Sequence, residues 1–343
     1  MAKPPEATDF SRDRQIDVSL RPKALKEFVG QPRAVENLKV YIDAARLRKA
    51  PLDHILLSGP PGLGKTTLAA IIAAELGVQF RATSGPVVEK PADLAGLLTN
   101  LSRGDVLFID EVHRLPTIVE EYLYSAMEDF SLDIMIDTGP AARSVRITLP
   151  PFTLIGATTR EGLLSSPFRA RFGVHERLVY YDRESLILIV QRAARLMEIP
   201  LDDDGAMEIA TRSRGTPRLA TRYLRRIRDV AQVLGDSIIT CDIARKGLQM
   251  MGIDEIGLGL LDRHILQTLH ANEGGPVGIK TIAIVVGEEE DTIENVYEPY
   301  LIQQGLILKT PRGRKLTPAG YKHLGMPVPE GTSDRSENSD KLF

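Results

Sequence analysis

Gly59-Pro60-Pro61-Gly62-Leu63-Gly64-Lys65-Thr66 decides how this chain is read, because it fits the phosphate-cradling pattern G-x-x-x-x-G-K-[ST] and has the neighbours such a loop requires. Before it stands His54-Ile55-Leu56-Leu57-Ser58, a short apolar run of buried-strand type. After it stands Thr67-Leu68-Ala69-Ala70-Ile71-Ile72-Ala73-Ala74-Glu75-Leu76, a helix former with apolar residues at helical spacing. Strand, glycine-rich turn and helix start follow in the order that lets main-chain N–H groups and the positive helix end converge on a β-phosphate. Lys65 is then placed to reach the β/γ-phosphates, and the Thr66 hydroxyl to ligate Mg²⁺. The bland alternative, a connector that merely joins strand to helix, has to explain both the pattern and its context.

The 343 residues suffice for two or three domains, and 43% hydrophobic with 26% charged residues is an ordinary soluble composition. The longest apolar stretches fall short of a membrane span. The N-terminus, with Pro4, Pro5, Glu6, Asp9 and Asp13, lacks the apolar core of a secretory signal, so the expected location is cytoplasmic. Cys241 is the only cysteine, which excludes an intrachain disulfide and a thiolate metal cluster. A net charge of −3 argues against indiscriminate coating of nucleic acid but leaves room for a local basic patch.

Residues 1–20 and 328–343 are polar and without period, and read as mobile tails. Over 21–182, strand-like runs at Ile55-Leu56-Leu57, Val78-Gln79-Phe80-Arg81-Ala82, Val106-Leu107-Phe108-Ile109 and Thr153-Leu154-Ile155-Gly156-Ala157 alternate with helical patterns. That alternation predicts an α/β domain with a parallel sheet and flanking helices. Within it, Leu132-Asp133-Ile134-Met135-Ile136-Asp137 and Ser144-Val145-Arg146-Ile147-Thr148-Leu149 alternate at period two around Thr138-Gly139-Pro140-Ala141, the signature of an inserted β-hairpin. Its apolar face either caps the core or meets a partner. Residues 183–256 read as a small helical domain, and 257–327 as three helices followed by a hairpin about a Pro-Arg-Gly turn, a winged variant of helix-turn-helix.

Forty-five residues after Lys65, the strand Val106–Ile109 delivers Asp110-Glu111 to its C-terminal edge. Asp110 is suited to hold Mg²⁺ and Glu111 to orient and polarise the attacking water. The strand Thr153–Ala157 ends in Thr158-Thr159-Arg160, which places hydroxyls at the same edge. One of the two threonines senses the γ-phosphate or positions the water, and Thr159 is the preferred one. Downstream, Arg169 and Arg171 each offer an arginine finger, a residue usually supplied by a neighbouring subunit.

The phosphate loop, Asp110-Glu111, the Thr158-Thr159 strand end, Arg171-Phe172-Gly173 and Gly215-Thr216-Pro217-Arg218 together resemble an AAA+ ATPase. The chain is more closely similar to the RuvB family, bacterial motors that drive branch migration of Holliday junctions. That resemblance runs from Arg21 to Leu324 and includes Arg21-Pro22, Phe28-Val29-Gly30-Gln31, Glu298-Pro299-Tyr300-Leu301-Ile302 and Thr310-Pro311-Arg312-Gly313-Arg314. It implies an AAA+ domain, a helical lid and a winged-helix domain. It also implies Lys65, Asp110, Glu111, Thr159, Arg171 and Arg218 as the catalytic set, with Arg171 acting in trans and Arg218 as a second sensor. The implied nucleotide site adds Arg21, Phe28, Val29, Gly30, the loop from Gly59, Pro60, Pro61, Gly62, Leu63 and Gly64 through Thr66 and Thr67, and Tyr181 and Pro217. The implied partners are ATP and Mg²⁺, double-stranded DNA at Holliday junctions, the junction-binding RuvA docked on the hairpin at 131–149, the resolvase RuvC, and five further copies in a homohexameric ring. The implied setting is homologous recombination and repair, including the SOS response to DNA damage.

The third helix of the winged module carries Glu288, Glu289, Glu290, Asp291, Glu294 and Glu298, which repel phosphates. Residues 299–324 instead carry Lys309, Arg312, Arg314, Lys315 and Lys322 and no acid. The expected DNA contacts are therefore Arg312, Arg314 and Lys315 of the wing, made to backbone phosphates and not to bases. The nearest competing function is an AAA+ clamp loader or helicase loader that uses ATP as an assembly switch. A nonenzymatic DNA-binding regulator leaves Asp110-Glu111 and Arg171 unexplained, and a small-molecule kinase leaves the winged module unexplained.

Overall fold

The structure is a computed structural model that describes residues 20–135, 144–235, 237–272 and 275–329. The chain forms two compact units: one reaches Ile199 and takes in Thr216–Thr221, and the other comprises Pro200–Gly215 and the chain from Arg222 onward.

The first unit is built on five parallel strands. After helix α1 (Pro32–Arg48) come β1 (Ile55–Ser58), α2 (Lys65–Leu76), β2 (Phe80–Ser84), α3 (Pro91–Thr99), β3 (Val106–Asp110) and α4 (Thr117–Glu128). A hairpin of β4 (Ser131–Met135) and β5 (Ser144–Thr148) follows, then β6 (Thr153–Thr158), α5 (Ser166–Ala170), β7 (Val174–Arg177) and α6 (Arg183–Leu196). The strand order is β2-β3-β6-β1-β7. Strands β1 and β6 are buried along their whole length, as the unbroken apolar runs predicted, because helices cover both faces of a parallel sheet. Register pairs Ile55 with Ile155 and Ser84 with Asp110, so the polar strand ends Ser58, Asp110 and Thr158 share one edge.

Two strand expectations shift. Strand β2 begins at Phe80, not at Val78, because α2 ends on Gly77 in the left-handed region and the Val78 N–H closes that turn on the Ala73 carbonyl at 3.1 Å. Strand β7 was not foreseen. Its Val174-His175-Glu176-Arg177 alternates buried and exposed positions at the sheet edge, where charge is tolerated. The base of the β4–β5 hairpin caps the core, with Leu132 and Leu149 buried among Leu94, Val119, Leu123, Phe152 and Phe168. Its expected turn at Thr138–Ala141 lies outside the described residues, as do 1–19 and 330–343 of the expected tails.

In the second unit, α7 (Asp203–Arg212), the body of α8 (Pro217–Leu234) and α9 (Cys241–Met250) are opened by side-chain caps where the sequence supplies them: Asp202 accepts from Gly205 N–H at 2.6 Å and Thr240 from Ile243 N–H at 3.4 Å. The winged module follows: α10 (Leu260–Ala271), α11 (Ile279–Val286), α12 (Glu290–Thr292) continuing through a π turn Ile293–Tyr297 into α13 (Glu298–Gln303), then β8 (Ile307–Thr310), β9 (Gly313–Leu316) and α14 (Pro318–His323). Val277 bridges Arg314 as a short third strand. Leu266, Leu269, Ile282, Leu301, Ile307 and Tyr321 form its core. No helix among the described residues is long and apolar enough to cross a membrane.

Candidate functional site

The phosphate loop leaves β1 and enters α2 through three glycines with positive φ: Gly59 at 131°, Gly62 at 80° and Gly64 at 98°. Only glycine takes these conformations without strain. Space enforces the same choice, since a Cβ at Gly59 would overlap the Leu178 carbonyl oxygen and one at Gly62 would fall 2.8 Å from Thr216 Cγ2. The loop is therefore a bare-backbone cradle of the kind an anionic phosphate chain fills. Lys65 is buried beneath it and donates to the carbonyls of Gly59 at 2.7 Å and Pro60 at 2.9 Å. Burial lowers its pKa, opposed by the nearby charges of Glu111 and Asp110. Leu63 is buried in the core, whereas Pro60, Pro61, Thr66 and Thr67 are half-buried along the loop and first turn.

Asp110 and Glu111 leave β3 at the same edge, and Glu111 turns into the left-handed region at φ 49°. Burial holds the Asp110 carboxyl above its usual range, while the hydrogen bond it accepts from Glu111 N–H, at 3.0 Å, pulls the other way. The two threonines at the end of β6 part company. Thr159 donates its hydroxyl to Glu111 Oε2 at 3.1 Å, while the fully buried Thr158 meets His113 Nδ1 at 2.9 Å and accepts from Arg160 N–H at 3.0 Å. His113 Nδ1 also lies 3.2 Å from Glu111 Oε2. Burial, the largest cause, lowers the His113 pKa, while the neighbouring Glu111 carboxylate acts the other way. Sequence reading did not single out His113; its position three residues after Asp110, in the turn that leaves the strand, was the available signal.

A third group closes around the loop. The Phe28 ring lies 3.3 Å from where a Gly64 Cβ would stand, and the Tyr181 ring occupies the space beside Gly30. Tyr181 donates its hydroxyl to the Leu63 carbonyl at 3.1 Å, and its burial raises its pKa. Arg218 N–H points at the Gly62 carbonyl at 3.4 Å, one residue into α8 after Pro217. Phe28, Gly30, Tyr181, Pro217 and Arg218 are thus brought to the loop, with half-buried Val29 between Phe28 and Gly30, while Arg21 is exposed on the approach to the first turn. Gln31, next to Gly30, was not assigned to the pocket from sequence: its side-chain amide donates to the Val179 carbonyl at 2.6 Å and accepts from Val179 N–H at 3.1 Å. Arg171 goes elsewhere. Its guanidinium stacks 4.3 Å over the Tyr124 ring and bonds Glu128 at 3.1 Å and the Pro167 carbonyl at 2.9 Å, partners on α4 and α5 and none on the phosphate loop.

In the winged module, Arg312 is exposed on the turn between β8 and β9, and Lys315 is half-buried on β9. Arg314, expected to contact phosphate, is placed differently from Arg312 and Lys315. Its side chain is buried in an ion pair with Glu298 and a further bond to Glu294, 2.6 Å away, because β9 alternates faces and turns Arg314 inward. Two of the acids expected only to repel DNA thus neutralise wing cations, for Lys309 also reaches Glu294 at 3.2 Å. The hydrogen bond from Arg314, the largest cause, holds the Glu294 carboxyl below its usual range.

Comparison with known proteins accounts for the whole arrangement. Residues 20–178 match the model of the Holliday junction DNA helicase RuvB P-loop domain, 181–254 that of the RuvB AAA lid domain, and 255–325 that of the RuvB C-terminal winged helix domain. The chain is 59% identical over 324 residues to the Holliday junction branch migration complex subunit RuvB of Myxococcus xanthus, covering 93% of this chain and 94% of that protein. It also superimposes, with a TM-score of 0.83 and 50% identity, on the structure of the Thermotoga maritima RuvB Holliday junction branch migration motor, over 91% of this chain and 100% of that one. With a cradle for a triphosphate, paired carboxylates at the strand edge and a winged module at its C-terminal end, the chain belongs to the RuvB family of AAA+ ATPases.

Proposed function

We propose that this chain is an ATP-driven DNA translocase that branch-migrates Holliday junctions, the task named for its Myxococcus and Thermotoga relatives. One observation carries the reading: a glycine cradle over buried Lys65 lies in the same unit as a carboxylate, Glu111, held by the Thr159 hydroxyl. The loop N–H groups and Lys65 bind the phosphates of ATP. Glu111 orients the attacking water, and Thr159 fixes the carboxylate while sensing the γ-phosphate. Thr66 and Asp110, a hydroxyl and a carboxylate, form a hard-oxygen donor pair suited to Mg²⁺. Held there, Mg²⁺ would supply positive charge that offsets the negative charge of the phosphates. Phe28, Val29, Gly30, Tyr181 and Pro217 enclose the base, Arg21 contacts the nucleotide from the approach to that pocket, and Arg218 reaches the γ-phosphate.

Arg171, whose partners in its own chain are Tyr124 and Glu128, serves a neighbouring subunit's site in this reading, and the working form is a ring, the homohexamer that the family resemblance implies. Arg312 and Lys315 grip duplex phosphates without reading bases. RuvA docks on the hairpin at 131–149, RuvC joins the larger complex, and the assembly works in the cytoplasm during recombination, repair and the SOS response. The working division of the chain is an AAA+ domain at 21–182, a lid at 183–256 and a winged helix at 257–327. A clamp or helicase loader is not favoured, because the family match extends through the winged helix.

The test is ATP hydrolysis measured with and without a four-way DNA junction, using Glu111→Gln and Arg171→Ala. Each variant alone is inactive, and mixing the two restores activity because a Glu111→Gln subunit lends Arg171 to its neighbour. Failure of the mixture to recover, with both variants still forming rings, refutes shared sites. Hydrolysis indifferent to junction DNA refutes the motor.

A further inference from the structure

The wing cations are not equivalent, and the acids that precede them explain why. Arg314 and Glu298 are both buried, at 7% and 3% exposure. Nε and Nη2 of Arg314 donate to the two oxygens of Glu298, each at 2.9 Å, and Nη2 also reaches Glu294 Oε1 at 2.6 Å. A guanidinium held in this fork cannot turn the same N–H groups toward a phosphate. Its backbone is fixed as well: Arg314 and Val277 exchange N–H···O bonds at 2.8 Å in both directions, and a Cβ at Gly313 would overlap the Val277 carbonyl. Lys309 on β8 reaches Glu294 at 3.2 Å, so both strands of the wing are tied to carboxylates four residues apart on the helical stretch behind it. What projects is the Pro311-Arg312 turn.

We propose that Glu298 and Arg314 are positioning residues of the DNA interface: their buried pair fixes the wing on its helix, and phosphate contact falls to Arg312 and Lys315. The proposal rests on the reading of the wing as the DNA-contacting element. Its consequence opposes simple electrostatics. Deleting a carboxylate beside DNA ordinarily strengthens binding to phosphates, whereas here deleting Glu298 weakens it.

The experiment is fluorescence anisotropy of the full-length protein on a short labelled duplex over a series of salt concentrations, where each phosphate contact contributes about 0.9 to the log–log slope. Arg312→Ala lowers affinity and makes the slope shallower by about 0.9. No change in either quantity overturns the wing reading and the proposal with it. With that reading intact, Glu298→Gln weakens binding about fivefold or more while the slope stays within about 0.3 of wild type. Tighter or unaltered binding by Glu298→Gln overturns the proposal. Should Glu298→Gln lose its cooperative thermal melt, the paired replacement Glu298→Leu with Arg314→Met decides, since an apolar pair can replace a buried ion pair without loss of fold. The slope of that double variant matches wild type if Arg314 only positions the wing. A slope shallower by about 0.9 makes Arg314 a phosphate contact and overturns the proposal.

Discussion

Gln31→Ala offers the sharpest test of how the nucleotide pocket is assembled. Gln31 is buried with φ 52°, and its amide pairs with both backbone groups of Val179, at 2.6 and 3.1 Å, as a neighbouring strand would. Two residues on, Tyr181 fills the space beside Gly30 and holds the Leu63 carbonyl at 3.1 Å, so the clamp on Val179 sets the wall of the phosphate loop. Each lost hydrogen bond costs about 0.5–1.5 kcal/mol net, so the two together cost about 1–3 kcal/mol. If the wall must be re-formed when nucleotide binds, that cost comes out of binding free energy and raises KM for ATP about 5- to 160-fold. None of the lost contacts touches Glu111, so kcat at saturating ATP stays within about twofold of wild type. Gln31→Glu retains the acceptor for Val179 N–H but sets a carboxylate oxygen against the Val179 carbonyl, and its KM rises at least as far. Steady-state ATPase kinetics with junction DNA present measure both constants. A fall in kcat at unaltered KM refutes the reasoning, because it assigns Gln31 to the chemical step.

Gly59→Ala demands a φ of 131° from a residue with a Cβ that overlaps the Leu178 carbonyl; nucleotide affinity, read by isothermal calorimetry, falls at least about tenfold, while duplex affinity in the absence of nucleotide is unaltered. Asp262→Ala removes a side chain 1% exposed that accepts two bonds from Arg214, one of them Nη1 at 3.1 Å, and one from Gly259 N–H at 2.8 Å. Breaking that ion pair, while Arg214 keeps the Gly257 carbonyl at 2.6 Å, costs about 3–5 kcal/mol, and calorimetry records the second unit melting about 6–20 °C lower. Asp262→Asn, which keeps an acceptor, falls less. A depressed Glu294 pKa places that group's contribution to stability fully above its ordinary value of 4.5, to be lost as pH falls through the lower folded value. Acid melts of Glu294→Gln are accordingly flatter than wild type below that pH, and parallel curves refute the assignment.

What the sequence made legible was what chemistry forces into adjacent positions. A phosphate cradle needs its glycines within one short stretch, and a strand that ends in Asp110-Glu111 carries its function in two neighbouring letters. The pair of hydroxyls at the end of β6 was also within reach, and in the structure Thr159, just past the strand, donates to Glu111 while Thr158 meets His113. Long-range pairing was out of reach. Gln31 and Val179 are 148 residues apart, and nothing local to Gln31 announces that its amide substitutes for a strand. Strand β7 escaped because its charged residues hide the pattern: Glu176 is buried and accepts from Asn37 Nδ2 at 2.9 Å, a partner 139 residues away. The burial of Arg314 was out of reach for a related reason. Charge counted along a window treats Lys309, Arg312, Arg314 and Lys315 as one basic patch, whereas strand alternation divides them between two faces.

That division bears on how a motor holds a track of arbitrary sequence. With Arg314 paired to Glu298, and Lys309 drawn to Glu294, each wing is left with Arg312, Lys315 and the more distant Lys322 for phosphates. Two contacts per subunit give a salt slope of only about 1.8, the signature of a weak, easily broken grip. For a protein that bound DNA alone this is a poor design, but in the proposed ring it is an advantage. Several wings hold the duplex at once, so the assembly stays attached, while any one subunit can release and advance against a small barrier. A wing with all its cations free would bind more tightly as a single subunit and step more slowly. If this is right, Glu294→Gln, which releases Lys309 but leaves the buried Glu298–Arg314 pair to hold the wing, tightens duplex binding and slows branch migration. Faster migration from that variant would show that grip, not release, limits the motor.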